Sequence, residues 1–232
     1  MDDRKITIAV CGDSYCSASI HDLKVTGAGT RAHFSQMLED VYGYKVLYFA
    51  HGGFSNLAIL FQIREAIKQK VDVVVYNKTW SNRLEIYRDD KFFAGRGLKN
   101  FVYYDPYYES SQSNLVGDSG ASVLSTTHHG IEENPFFEIS KEQKQAVDLY
   151  LKHLHNDNAK TLADEWMFEY WKSQMILNGI LPVYFNDVDI GKIAYEFSFA
   201  HKNYDTPFHT DRATQEVVAA NVHRKIVDNL KR

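Results

Sequence analysis

The chain has 232 residues, of which 44% are hydrophobic and 24% charged, with a formal net charge of −4. That is enough apolar material for one sizeable core, or one core plus a large insertion, and the charged share is ordinary for a globular protein. Both signs of charge are spread along the chain without a polybasic run, which argues against a nucleic-acid footprint and against a lipid-surface patch.

The N-terminus, MDDRKITIAV, opens with acidic residues, and its apolar run is short. It is too short for a signal sequence or a membrane span. The expectation is a cytoplasmic protein without a signal peptide; a component assembled into a virion needs no signal either. Lys5 to Cys11 is rich in β-branched residues and stops at Gly12, as a buried strand would. Between Thr30 and Tyr42, apolar residues at Ala32, Phe34, Met37, Leu38 and Val41 line one helical face, and Gly43 follows as a stop. Tyr44 to Ala50 is a second strand, ending at Gly52-Gly53. Ser55 is the expected N-cap of a helix whose face carries Leu57, Leu60, Ile63 and Ile67. Val71 to Tyr76 is a third strand.

This strand–helix alternation predicts a parallel sheet with crossover helices, and the nearly continuous apolar strands fit burial on both faces. After Trp80 the periodicity breaks. Residues from about 82 to 138 hold Gly, Ser, Asp and many aromatics, and the stretch is long for a loop inside a compact domain. Helices are expected over Ser140–His155 and Ala159–Leu177, a fourth strand over Ile180–Phe185, a fifth over Lys192–Ala200, and a final amphipathic helix over Thr210–Leu230. The fold class is therefore α/β, a three-layer sandwich with strand order 2-1-3-4-5. It forms a single domain, residues 1–232, with an insertion or lid at about 82–178.

The chemistry concentrates at the end of the first strand. Gly12-Asp13-Ser14 follows it directly, and ligands of open parallel sheets bind beyond the carboxyl ends of the strands. Backbone N–H groups at such a turn stabilise negative charge. A serine hydroxyl needs a base to become nucleophilic, and the candidate is His209, just before the last helix. Asp205 precedes it in Tyr204-Asp-Thr-Pro-Phe-His209, where Pro207 stiffens the loop. A carboxylate there can orient the imidazole.

With these blocks in place, the chain resembles the SGNH/GDSL hydrolase superfamily. Its members carry Gly-Asp-Ser after strand one, a glycine after strand two, an asparagine after strand three, and an Asp–His pair before the last helix. Gly12-Asp13-Ser14, Gly52-Gly53 and His209 match in order. The resemblance covers the core strands and the last helix, and leaves about 82–178 unexplained. It implies a serine esterase with Ser14 as nucleophile, His209 as base and Asp205 as orienting acid. The implied oxyanion hole is built from the N–H groups of Ser14 and Gly53, or of Gly52, and the side chain of Asn77. Asn82 is a second candidate for the third block, and Asn77 is favoured. The stretch Thr79-Trp-Ser-Asn-Arg83 is similar to a variant seen in phage-associated members. The family spaces its pair as Asp-x-x-His, whereas this chain has Asp205-x-x-x-His209, so a backbone carbonyl is the alternative partner of the imidazole. The implied partner is a small-molecule or carbohydrate ester, an acetyl ester first. The alternative is a catalytically idle fold used for binding or as a virion component.

Other features point to ordinary structural roles. Gly117-Asp118-Ser119-Gly120 repeats the tripeptide, but no apolar strand precedes it, so Ser119 reads as a turn residue. His128-His129 lies in a polar stretch without carboxylate partners. His51 lines the pocket or simply packs. Asp72 and Arg83 end strands or make surface pairs. Cys11 and Cys16, the two cysteines of the chain, are too few for a disulfide framework and lack the further ligands zinc needs. They read as reduced thiols packed near a strand end. No phosphate loop of the G-x-x-x-x-G-K type occurs, and neither a cofactor nor a metal is expected.

Overall fold

A computed structural model describes residues 4–13, 16, 33–50, 55–79, 85–86, 122–123, 141–184 and 212–230. The strands are β1 (Thr7–Cys11), β2 (Lys45–Tyr48), β3 (Val73–Tyr76), β4 (Glu85–Ile86), β5 (Ser122–Val123) and β6 (Leu181–Tyr184). The helices are α1 (Phe34–Asp40), α2 (Asn56–Lys68), α3 (Lys141–His153), α4 (Asp157–Leu177) and α5 (Arg212–Leu230). Four strands form one parallel sheet in the order β2-β1-β3-β6. This is the order expected for the first four strands of the sequence reading. The fifth strand expected at Lys192–Ala200 lies outside the described residues.

The alternation of side chains along each strand builds the layers. Ile8, Val10, Val73 and Val75 face one side, where they pack with Phe34, Met37 and Leu38 of α1 and Val218, Val222 and Ile226 of α5. Ala9, Cys11, Val74 and Tyr76 face the other, against Ile59, Leu60 and Ile63 of α2 and Phe168 and Met175 of α4. The result is a three-layer α/β/α sandwich. Residues such as Ile8, Phe34, Ile59 and Ile226 have no exposed surface, and each such side chain contributes roughly 1.5–3 kcal/mol by leaving water.

Helix starts follow local hydrogen bonding. Ser55 caps α2, its hydroxyl accepting from the Ala58 N–H. His33 caps α1 in a capping box with Gln36, so this helix begins later than its apolar spacing suggests. Asn156 caps α4, accepting from Ala159 N–H at 3.0 Å, and α4 therefore starts two residues before the expected Ala159. Its C-terminus closes at Asn178-Gly179, with Gly179 at φ +73°. In the stretch expected as an insertion, about 82–178, β4 and β5 form a short antiparallel pair. The C-terminal part of that stretch, α4, is the crossover helix from β3 to β6, and it buries Phe168 and Met175 in the core.

Candidate functional site

The parallel strands end in step: Cys11 lies opposite Tyr76, and Tyr76 opposite Tyr184. Gly12-Asp13 and Asn77-Lys78-Thr79 therefore leave the sheet side by side at its carboxyl edge, where α/β folds bind ligands. Three polar side chains fill the space beneath them. Gln62, on the buried face of α2, holds Gly12 at both ends of its peptide units: its Oε1 accepts from Gly12 N–H at 2.6 Å and its Nε2 donates to Gly12 O at 3.2 Å. Asn77 holds Asp13 by its backbone N–H and its carboxylate. Its Oδ1 accepts from Asp13 N–H at 3.1 Å, and its Nδ2 donates to Asp13 Oδ1 at 2.8 Å. Thr79 Oγ1 donates to the other carboxylate oxygen at 2.7 Å. Asp13 is 1% exposed, so this carboxylate is held by donors of fixed direction rather than by water.

The close approach of Asn77 requires glycine at position 12. A Cβ there would stand 2.0 Å from Asn77 Oδ1 and 2.7 Å from Cys16 Cβ, inside van der Waals contact. The Cys16 N–H donates to the Asp13 carbonyl at 3.1 Å, which draws those two residues together.

The hydrogen bonding continues into α4. Asn56, the first residue of α2, binds the Thr79 peptide with both ends of its carboxamide: Thr79 N–H donates to Oδ1 at 2.8 Å, and Nδ2 donates to Thr79 O at 3.1 Å. The same Nδ2 donates to Asp164 Oδ2 at 2.7 Å. Asp164 Oδ1 in turn receives the Lys160 ammonium, one helical turn earlier. On the opposite flank of Thr79, Lys78 Nζ lies 5.4 Å from the Phe168 ring centroid and 5.3 Å from that of Tyr184, within cation–π range.

Of the residues the sequence singled out, Asn77 stands at this edge and is 3% exposed. Ser14, Gly53, Asp205 and His209 lie outside the described residues, as do His51, Gly52, Asn82, Arg83, Ser119, His128 and His129. Asp72 makes a surface pair, with Arg4. Cys11 and Cys16 are free and buried. Burial pushes both thiols above their ordinary range, and the nearby Asp13 charge raises Cys16 further.

No protein-family model and no curated protein matches the chain. Among solved structures it is similar to the acetyl xylan esterase AlAXEase. That likeness has a TM-score of 0.39 at 11% sequence identity, over 95% of this chain and 100% of the other.

Gln62, Asn56 and Asp164 were not singled out from the sequence, and Thr79 entered only as part of the Thr79-Trp-Ser-Asn-Arg83 stretch. A signal for Gln62 is present: it shares a helical face with Ile59, Ile63 and Ala66, and a polar side chain on an apolar face needs a buried partner. Asp164 gives a similar signal, one turn before the core residue Phe168. No helix of the described residues is long and apolar enough to cross a membrane.

Proposed function

We infer that this chain is a serine esterase of the SGNH/GDSL type. The observation that carries the reading is the buried clamp on Asp13. The residue immediately before Ser14 is fixed by Asn77 and Thr79 at the carboxyl edge of the sheet, in the Gly-Asp-Ser block and beside the block-three asparagine. A nucleophile needs such a rigid mount, because catalysis depends on near-attack geometry.

In this reading Ser14 Oγ attacks an ester carbonyl carbon while His209 takes the hydroxyl proton. Asp205 orients the imidazole and stabilises its charged form. The developing oxyanion is met by the N–H groups of Ser14 and Gly53. Asn77 adds the second hydrogen of its amide nitrogen, the first being spent on Asp13. Each donor of this kind supplies about 3–4 kcal/mol. The tetrahedral adduct collapses, His209 returns its proton to the departing alcohol, and an acyl-serine remains. Water, deprotonated by His209, then releases the acid. An acetyl ester on a carbohydrate is the proposed substrate. The chain is rich in tyrosine and phenylalanine, with 15 and 14, and aromatic faces suit sugar rings.

The test is acetate release from an aryl acetate and an acetylated oligosaccharide. Ser14→Ala is expected to lower kcat by at least ~10³-fold with an unchanged melting temperature. Equal rates for wild type and variant would end the esterase reading and favour an idle fold that binds or serves as a virion component.

A further inference from the structure

We propose that Asp164, on α4, is a positioning residue for the nucleophile turn, acting through Asn56 and Thr79 on Asp13; this rests on reading Ser14 as the nucleophile. Asp164 is 3% exposed, and a carboxylate so deeply placed is destabilising unless each oxygen has a donor. Both have one. Lys160 Nζ reaches Oδ1 at 2.5 Å and Asn56 Nδ2 reaches Oδ2 at 2.7 Å.

What Asp164 does follows from donor chemistry. A carboxamide can face its neighbours in two ways, and an ionised carboxylate, which only accepts, selects the one that turns nitrogen toward it. In that orientation Asn56 has Oδ1 left to accept from the Thr79 N–H at 2.8 Å and a second amide hydrogen for Thr79 O at 3.1 Å. Every group is matched. The reversed amide would set oxygen against the Asp164 carboxylate and nitrogen against the Thr79 N–H. With its peptide held, Thr79 directs Oγ1 to Asp13 Oδ2 at 2.7 Å, and Asp13 precedes Ser14. An unbroken line of hydrogen bonds thus joins the crossover helix to the strand end. The alternative is that Asp164 merely fastens α4 to the sheet.

The experiment compares wild type, Asp164→Asn, Thr79→Val and the double variant on an aryl acetate, with amide hydrogen exchange followed by NMR. Asn at 164 sets an amide N–H against a donor in either orientation, Lys160 on one side or Asn56 on the other. Each single variant is expected to lower kcat about tenfold with KM within about twofold. The double variant is expected to be no worse than the weaker single, because both break one line. Thr79→Ser, which restores the hydroxyl, is expected to recover activity. The Asp13 amide is expected to exchange faster in Asp164→Asn. Unchanged kcat with wild-type exchange at Asp13, or losses that multiply in the double variant, overturn the proposal. If Ser14→Ala is as active as wild type, the esterase reading fails on its own, and the Asp13 exchange rate still decides the relay. Should Asp164→Asn not fold, Lys160→Met keeps the carboxylate and removes its anchor. Faster Asp13 exchange there supports the proposal and an unchanged rate overturns it.

Discussion

Asp72 and Asp13 stand at opposite ends of the same two neighbouring strands, and they are held in opposite ways. At the amino end, Asp72 pairs with Arg4 and accepts the Thr7 N–H at 2.8 Å. The Arg4 side chain is 67% exposed and that of Asp72 25%, so water and salt compete for the pair. At the carboxyl end, Asp13 is enclosed, and two neutral side chains grip it at distances of 2.7–2.8 Å. A flexible guanidinium at the open end supplies charge with little constraint. A carboxamide and a hydroxyl on rigid backbone supply direction. The closed end thus holds Asp13 in one geometry, and it is the end where Gly12-Asp13 leaves the sheet.

The contrast is broken most directly by removing each carboxylate. Asp13→Ala removes the acceptor of the buried Asn77 amide and of the half-buried Thr79 hydroxyl, and a loss of about 3 kcal/mol in unfolding free energy is expected from urea titration. Gly12→Ala tests the same clamp by crowding. The added methyl collides with Asn77 Oδ1, and a loss of about 2–3 kcal/mol is expected. Gly43→Ala meets open space and is the control, carrying only the backbone strain of φ +74°.

The thiols beneath the clamp add a pH dependence. Burial raises both in the folded chain above their ordinary value of 9.0. The folded state therefore keeps its protons while the unfolded state begins to lose them. Stability from this source is complete below about pH 9 and falls as pH rises, by about 1.4 kcal/mol per pH unit per thiol. Tyr44, also raised by burial, acts in the same direction from 10.0 upward, so the window to read is pH 9 to 10. In the double variant Cys11→Ala/Cys16→Ala the slope is expected to flatten, and an unchanged slope would remove the thiols from the explanation. The smallest effect belongs to the open end. Asp72→Ala is expected to lose about 0.5 kcal/mol, and less in high salt. A loss as large as that of Asp13→Ala would abolish the distinction between the two ends.

The layers were legible because they rest on local patterns. Val73-Val-Val-Tyr76 and Ile8-Ala-Val-Cys11 are buried on both faces and read as such, and Ser55 before an apolar face announced α2. Boundaries differed from the expected ones by a few residues. The third strand was expected from Val71 and spans Val73–Tyr76; just before it, the Asp72 N–H donates to Thr7 O at 2.9 Å, its carbonyl accepts from Leu181 N–H at 3.0 Å, and its carboxylate accepts from Thr7 N–H. Histidine is an unusual N-cap, so the start at His33 was not anticipated. At the site, Asn77 was picked out by its place after the third strand. Its double hold on Asp13 was not, since that pairing joins residues 64 positions apart. The link from Asn56 to Asp164 spans 108 positions. Periodicity reports which face is buried, and it is silent about which polar groups on that face meet.

The central claim is that the clamped turn carries a reactive serine. Its most direct measurement is treatment of the folded protein with a fluorophosphonate, followed by mass-spectrometric mapping of the modified residue. An adduct on Ser14 is predicted, absent from Ser14→Ala and from protein unfolded in urea. An unmodified Ser14 in folded protein, or labelling that persists in Ser14→Ala, would contradict it.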